Sequence, residues 1–359
     1  MIVIYICLSI KSLSTNVILQ QNLKPERKMI IDMHTHIVPN EFPLATGRPS
    51  GSAFPSMKKE DTDRSTIVID GKDYRTVRNV CWDATKRKNE INNEGTTKQV
   101  LSPLPELLMY HIDPADGADL ARHLNESIAG MIASEPDTFY GLGSVPMQDI
   151  NLAILELQSI KDLGLHGVEI RTNIEGRSLG EEHFRPFFEA AANLDLAVFP
   201  HANRPTFSDR LAHIPASVAD APLGFPIESG LAGASIIWSG LLEDFPNLRI
   251  CMSHAGGVLI PLLARSNENW HSREPIRKLL PKSPMEYASM LFYDDIAFDI
   301  APLRYLIDHV GIEQVMIGSD WQGTGPKIPS PLEEFISLGL NDEEQEYLGW
   351  KNAMRFLGQ

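Results

Sequence analysis

Cysteine is scarce in this sequence: Cys7, Cys81 and Cys251 are the three among 359 residues. They are too few and too scattered for a disulfide framework, and no Cys-x-x-Cys pair is present, which fits a reducing cytoplasm. Positive charge is also short. With 32 Lys and Arg against 47 Asp and Glu, the formal net charge is -15 and the pI is near 5.2. That balance argues against nucleic acid or an anionic membrane as partner, and leaves a small anionic substrate only where a few arginines gather locally. Long apolar runs are missing too. The stretch Met1 to Ile10 falls far short of the ~18 residues of a membrane span, and no basic region precedes it. Residues 11–28 are polar and unpatterned, so 1–28 is expected to be a disordered extension with Met29 as an alternative start. No sequence repeat and no low-complexity run is apparent.

What is present is an ordinary globular composition, 43% hydrophobic and 22% charged, in a length that holds one large α/β barrel or two small domains. The organising stretch is Met29-Ile-Ile-Asp-Met-His34-Thr-His36-Ile-Val-Pro39, which reads as a buried strand emptying into a loop. Strand side chains repeat every two residues, so His34 and His36 share a face and their imidazoles can share one ion.

A long excursion over 40–95 follows. Within it Thr66–Ile69, Asp70-Gly71 and Tyr74–Val77 read as a β-hairpin, because Asp-Gly supplies the positive φ angles of a tight turn. This insertion is expected to form a lid that carries Arg75, Arg78 and Trp82 over the mouth of the barrel. From residue 97 onward strands alternate with helices, and eight strand candidates emerge. The predicted architecture is a parallel (β/α)₈ barrel spanning 29–359, with the hairpin inserted after strand one.

Catalytic groups in such a barrel sit at the C-terminal ends of strands. His34 and His36 end strand one, His201 strand five, His254 strand six and Asp320 strand eight. Three imidazoles and one carboxylate suit a divalent ion such as Zn²⁺, and the remaining His254 falls beside it as a proton carrier. Read singly, His201 or His254 would be a hydrogen-bonded core residue and Asp320 a helix cap. It is their joint placement that points to a metal centre. Cys251, ahead of His254 on strand six, reads as an inward core cysteine.

The residues His34-Thr-His36, His201, Ser253-His254-Ala-Gly-Gly257 and Gly318-Ser-Asp320 resemble the amidohydrolase superfamily. Strand four ends Glu169-Ile170-Arg171, with no lysine to become a carbamylated bridge, which points to the one-metal branch. Asp70 to Asp83, Gly141 to Gln148 and Leu242 to Arg249 are further similar to the aminocarboxymuconate-semialdehyde decarboxylase family. That resemblance implies that His34, His36, His201 and Asp320 bind the metal and that His254, with Asp320, performs the acid–base chemistry. It implies that Arg75 or Arg78 grips a substrate carboxylate. Arg265 matches an arginine that reaches into a neighbouring subunit's site, which implies a homodimer.

Two segments depart from the family pattern. After His201 the chain runs Ala202-Asn203-Arg204 in place of Pro-Trp-Asp, and after Asp320 it runs Trp321-Gln322-Gly323 in place of Tyr-Pro-Phe. The expectation is a metal-dependent, non-oxidative decarboxylase of a small unsaturated or aromatic carboxylic acid, using Zn²⁺, or Mn²⁺ or Fe²⁺, since similar ligands accept all three. Arginine forks at positions 75, 78, 204 or 265 would hold the carboxylate. Asp83 and Glu228 read as helix-start residues. Two rivals stand beside this reading: a hydrolase of a lactone or amide using the same ion, and a silent scaffold that keeps the barrel but only binds a ligand.

Overall fold

The computed structural model describes residues 28–93, 95–321 and 330–359. The expected extension therefore lies, apart from Lys28, outside the described residues, as do Gln322 and Gly323. Eight parallel barrel strands are present among the described residues: β1 Ile31–Ile37, β2 Lys98–Pro103, β3 Phe139–Gly143, β4 Gly167–Arg171, β5 Ala197–His201, β6 Cys251–Met252, β7 Phe292–Asp294 and β8 Val315–Met316. The first five pair in chain order, and β6, β7 and β8 pair in a second run. Single bridges join the runs, Val198 to Ile250 and Thr35 to Trp321, and the Met33 N–H donates to the Ile317 carbonyl at 2.8 Å. The ring is thus closed as a (β/α)₈ barrel.

Helices cover it, some of them started by side-chain caps. They include α1 Ala84–Asn93, α2 Pro114–Ser134, α3 Ile150–Asp162, α4 Arg185–Asn193, α5 Phe225–Trp238, α6 Leu259–Ser272 and α7 Ile300–Val310. The carboxylates of Asp113, Asp149 and Asp299 accept the first free N–H groups of α2, α3 and α7, which is the stabilising role of an N-cap. On α2 the residues Leu120, Leu124, Ile128 and Met131 repeat at helical spacing and are buried.

Inside the barrel, Ile31, Met33, Val100, Phe199, Cys251 and Met316 pack on one another as alternate strand residues must. Cys251 belongs to this core, and burial pushes its thiol well above the usual range. The insertion folds as three antiparallel strands, Ser56–Lys59, Arg64–Ile69 and Lys72–Arg78, of which the first was not anticipated. Its turn has φ of 53° at Asp70 and 70° at Gly71. Ile67, Ile69 and Val77 pack with Leu104, Leu107 and Leu120, so the insertion is anchored on the barrel's top loops.

Two element boundaries differ from the sequence reading. A helix over 226–243 was expected, but the chain breaks at Gly240, whose φ of 75° no helix interior tolerates. Apolar stretches at 291–293 and 296–299 were read as bracketing strand seven. The strand is Phe292–Asp294, and Asp299 is the cap of α7.

Candidate metal centre

The five anticipated residues converge at the C-terminal mouth of the barrel. His34 Nε2 and His36 Nε2 are 3.1 Å apart, and His36 Nε2 is 3.1 Å from Asp320 Oδ1. The rings of His34 and His201 are 4.8 Å apart between centroids, and those of His201 and His254 4.9 Å. One ring nitrogen each from His34, His201 and His254 and a carboxylate oxygen of Asp320 all lie within 4.8 Å of one another. Proximity alone therefore groups His254 with the ligands and leaves His36 at the edge.

Hydrogen bonding separates the four imidazoles differently. His34 Nδ1 donates to Asp294 Oδ2 at 2.7 Å, His36 Nδ1 to the Pro103 carbonyl at 3.0 Å, and His201 Nδ1 to the Ala202 carbonyl at 2.9 Å. Each bond fixes the proton on Nδ1 and leaves the Nε2 lone pair facing inward. His201 Nε2 is buried with no hydrogen-bond partner, and the facing lone pairs of His34 and His36 repel unless a cation lies between them. A divalent ion fits these donors. His254 differs, because its buried Nδ1 has no acceptor while its Nε2 lies 3.6 Å from Asp320 Oδ2.

The electrostatics follow this division except at His36, where burial works against charge but Glu169 and Asp320 outweigh it and raise the imidazole. Burial pulls His34 below the ordinary imidazole range and His201 well below it, which keeps both neutral. Burial works against charge on His254 as well, but Asp320 outweighs it and raises the group. Asp320 itself is held well below the carboxylate range, with the bond to His254 first among the influences that outweigh the burial that would raise it.

Asp294 was missed by the sequence reading. It ends β7, fully buried, and its Oδ2 accepts from His34 Nδ1 and from the His254 N–H at 2.9 Å. Its Oδ1 accepts from Ala255 N–H at 2.7 Å and Ile296 N–H at 3.1 Å. His254 and Ala255 both have φ of 54°, so their successive N–H groups form a concave anion nest around the carboxylate. One side chain thereby sets the ring of His34 and the backbone of His254. The available signal was an acidic residue closing an apolar strand at the catalytic end of the barrel. Glu169, which stands near the end of β4 where no lysine is present, is buried near His36 Nδ1, at 3.6 Å, and burial pushes it up to about 7.

A cavity of about 1480 Å³ opens above this centre, with His201, His254 and Asp320 on its floor. Arg75 lines it, at 3.8 Å from Glu106. Arg78 does not. Three residues apart on one strand, the two arginines point to opposite faces, and Arg78 pairs instead with Glu90 of α1 at 2.7 Å. Trp82 is also off the cavity wall, packed partly buried against the insertion's apolar cluster. Arg265 is exposed on α6 and away from this chain's cavity. Asp83 accepts the Lys86 N–H at 3.0 Å as a helix-start residue does, and Glu228 clamps the Thr206 N–H and hydroxyl at 2.7 and 2.6 Å. Arg204, Asn203 and Glu106 line the cavity as well.

Among the described residues no helix is long and apolar enough to cross a membrane. Residues 31–359 match the family described as Amidohydrolase. The chain is 32% identical to 2-amino-3-carboxymuconate-6-semialdehyde decarboxylase of Dictyostelium discoideum over 335 residues, covering 92% of each chain. Its fold is similar to that of 5-carboxyvanillate decarboxylase from Sphingomonas paucimobilis, with TM-score 0.74 and 21% identity over 92% of this chain and 99% of the other. It is also similar to a dihydroxybenzoic acid decarboxylase from Polaromonas sp. with bound manganese, with TM-score 0.71 and 19% identity over 92% and 97%.

Proposed function

Because this chain belongs to the amidohydrolase family, we propose that it is a metal-dependent carboxy-lyase that removes CO₂ from a small unsaturated or aromatic carboxylic acid. The observation that carries the reading is the split among the four imidazoles. His34, His36 and His201 have Nδ1 bonded and Nε2 directed inward, whereas His254 has no Nδ1 acceptor and faces Asp320. His34, His36, His201 and Asp320 hold one divalent ion, and His254 is the acid. The kinship with decarboxylases supports CO₂ loss over hydrolysis.

When bound, the ion supplies a Lewis acid that stabilises negative charge on a substrate oxygen. The protein's own groups do the rest. As the bond to the carboxylate carbon breaks, its electron pair stays on the substrate carbon and CO₂ departs. His254 Nε2, whose charge Asp320 supports, gives that carbon its proton and is recharged from solvent. Arg75 on the cavity wall orients the acid group.

The ion is Zn²⁺ in this reading, for its affinity for imidazole; Mn²⁺ or Fe²⁺ would suit the same ligands, and manganese is bound in the Polaromonas enzyme. We place the enzyme in the cytoplasm, on its scarcity of cysteine, and as a homodimer, with the exposed Arg265 offered to the partner's cavity.

The test is metal content by elemental analysis together with CO₂ release from aminocarboxymuconate semialdehyde and hydroxybenzoates, repeated with His254→Asn. About one ion per chain in both proteins, with CO₂ release falling at least ~10³-fold in the variant, is expected for loss of the acid. Acid release from lactones without CO₂ from any carboxylate would replace the reading with a hydrolase, and a chain without metal would overturn it.

A further inference from the structure

Arg87 of α1 is a cation buried to the last atom, where the helix packs over the end of β1. Burying a guanidinium is costly, and the cost is offset only where its donors are used. Here they reach the surroundings of the metal ligands. Nη1 donates to the His36 carbonyl at 2.9 Å, Nε donates to Gln99 Oε1 at 2.7 Å, and Cζ lies 4.2 Å from the centre of the Trp321 ring. Trp321 directly follows Asp320 and is itself buried. One side chain of α1 thus touches the backbone of one anticipated ligand and the neighbour of another.

Asp320 is the ligand that needs such support. β8 ends at Met316, so Asp320 stands beyond the strand ladder, and its φ of 54° is a left-handed conformation that L-residues enter at a cost. On one side of it, Trp321 bridges to Thr35, and the Trp321 carbonyl accepts the His36 N–H at 2.8 Å. On the other side, Ser319 donates its N–H and its hydroxyl to the Asp32 carboxylate at 3.0 and 2.5 Å. Gln99 connects the two anchors, because its Nε2 donates to Asp32 at 3.4 Å while its Oε1 accepts from Arg87. Arg87, Gln99 and Asp32 therefore form a buried chain that grips the residues flanking Asp320. The helix carrying Arg87 is held from outside as well, since Glu90 accepts two bonds from Arg78 of the insertion at 2.8 and 2.7 Å.

We propose that Arg87 is a positioning residue for the metal centre. Through the His36 carbonyl and the Trp321 ring it fixes the spacing of His36 Nε2 and Asp320 Oδ1, which lie 3.1 Å apart. It stands off the cavity wall and acts through these two ligands. This rests on the reading of the site as a metal centre, and is independent of which bond the enzyme breaks.

The experiment loads the protein with Co²⁺, whose visible absorption reports the geometry of its ligands, and measures affinity by chelator competition. In Arg87→Met the affinity is expected to fall about tenfold, the lower end of what an outer partner of a metal ligand is worth, and the cobalt bands to change in position and intensity. Arg87→Lys separates the tie from the charge. Lysine keeps the cation but lacks the fork that reaches the His36 carbonyl and Gln99 together, so affinity falls there too, by more than about twofold and by less than in Arg87→Met. Asn352→Ala controls for stability. Asn352 Nδ2 donates to the Ile312 and Val315 carbonyls at 2.8 and 2.7 Å, at the opposite end of β8, so its loss lowers the urea midpoint while cobalt affinity and spectrum stay those of the parent. Affinity in Arg87→Met within about twofold of the parent, with an unchanged spectrum, overturns the proposal. A rise in Arg87→Met with parent-like binding in Arg87→Lys overturns it as well, by marking an effect of charge alone. So does an equal fall in Asn352→Ala, which would mark general destabilisation. If Arg87→Met does not fold, Arg87→Lys decides by the same affinity and spectrum. A parent that binds no cobalt removes the metal-centre reading itself, whereas a parent that binds it and is indifferent to Arg87 counts against this proposal alone.

Discussion

Replacing Asp294 by Asn keeps the shape of the side chain and removes one acceptor. In the parent, two oxygens accept from four donors: His34 Nδ1, and the N–H groups of His254, Ala255 and Ile296. An amide has one oxygen, and its NH₂ must face the other two donors. His34 is the one donor of the four that can turn acceptor, by moving its proton to Nε2, so the NH₂ settles on the His34 side. The His254 N–H is then orphaned in a fully buried site, and the remaining bonds lose their charge. Together these losses cost about 2–4 kcal/mol of stability in the metal-free protein. The displaced proton now sits on His34 Nε2, 3.1 Å from His36 Nε2, where a metal ligand needs a lone pair. Metal affinity should fall about 10- to 100-fold, the usual cost of losing an outer partner of a ligating histidine. Chelator competition measures the affinity, and urea unfolding of the metal-free protein measures the stability. Metal affinity within twofold of the parent, with an unchanged unfolding midpoint, would refute the reasoning about Asp294.

Three further outcomes follow from contacts elsewhere in the fold. Arg87 of α1 is fully buried, donates Nε to Gln99 at 2.7 Å and Nη1 to the His36 carbonyl at 2.9 Å, and lies 4.2 Å above the Trp321 ring. Arg87→Met should cost about 2–4 kcal/mol in urea unfolding by orphaning buried acceptors. At Gly257 φ is 57° and an added Cβ would lie 2.0 Å from the Pro226 carbonyl oxygen. Gly257→Ala therefore places a Cβ on a backbone of φ 57° and ψ −120°, a conformation essentially reserved for glycine, and displaces α5, so it should lower the thermal midpoint clearly more than Gly47→Ala, where φ is also positive but no atom lies within 4 Å. The Asp116 carboxylate accepts the Ser50 N–H at 2.8 Å and pairs with Arg48 at 3.1 Å. Burial would raise it, but these bonds hold it below its ordinary value. A depressed folded-state value means stabilisation that is complete above the unfolded pKa of ~3.9 and is lost as pH falls through the folded one. Asp116→Asn should thus be less stable than the parent at pH 7 and approach it at pH 3, measured by urea unfolding at each pH.

The barrel was legible because buried parallel strands must be apolar on both faces, and several of those runs end in a residue that has no business in a core unless it does chemistry. His34, His36, His201, His254 and Asp320 carried that contradiction on their face. Asp294 carried it less plainly, because Ile296 and Ala297 resume the apolar pattern two residues later, and the chain does not announce that they form a loop. The arginines expose a different limit. Whether Arg75 or Arg78 faces the cavity is a matter of strand parity, and parity is fixed by pairing partners that lie outside the local sequence: Arg75 stands opposite Ile67 and Arg78 opposite Arg64. Arg87 is harder still. It sits between Lys86 and Lys88 in a segment that reads as a solvated helix, yet of these three cations it alone is buried, on the face it shares with Ala84 and Ile91, where α1 packs over the end of β1 and the His36 carbonyl accepts its Nη1. A charged residue's burial is decided by which backbone groups the topology leaves unpaired. Sequence therefore reveals the groups that act and tends to hide those that hold them in place.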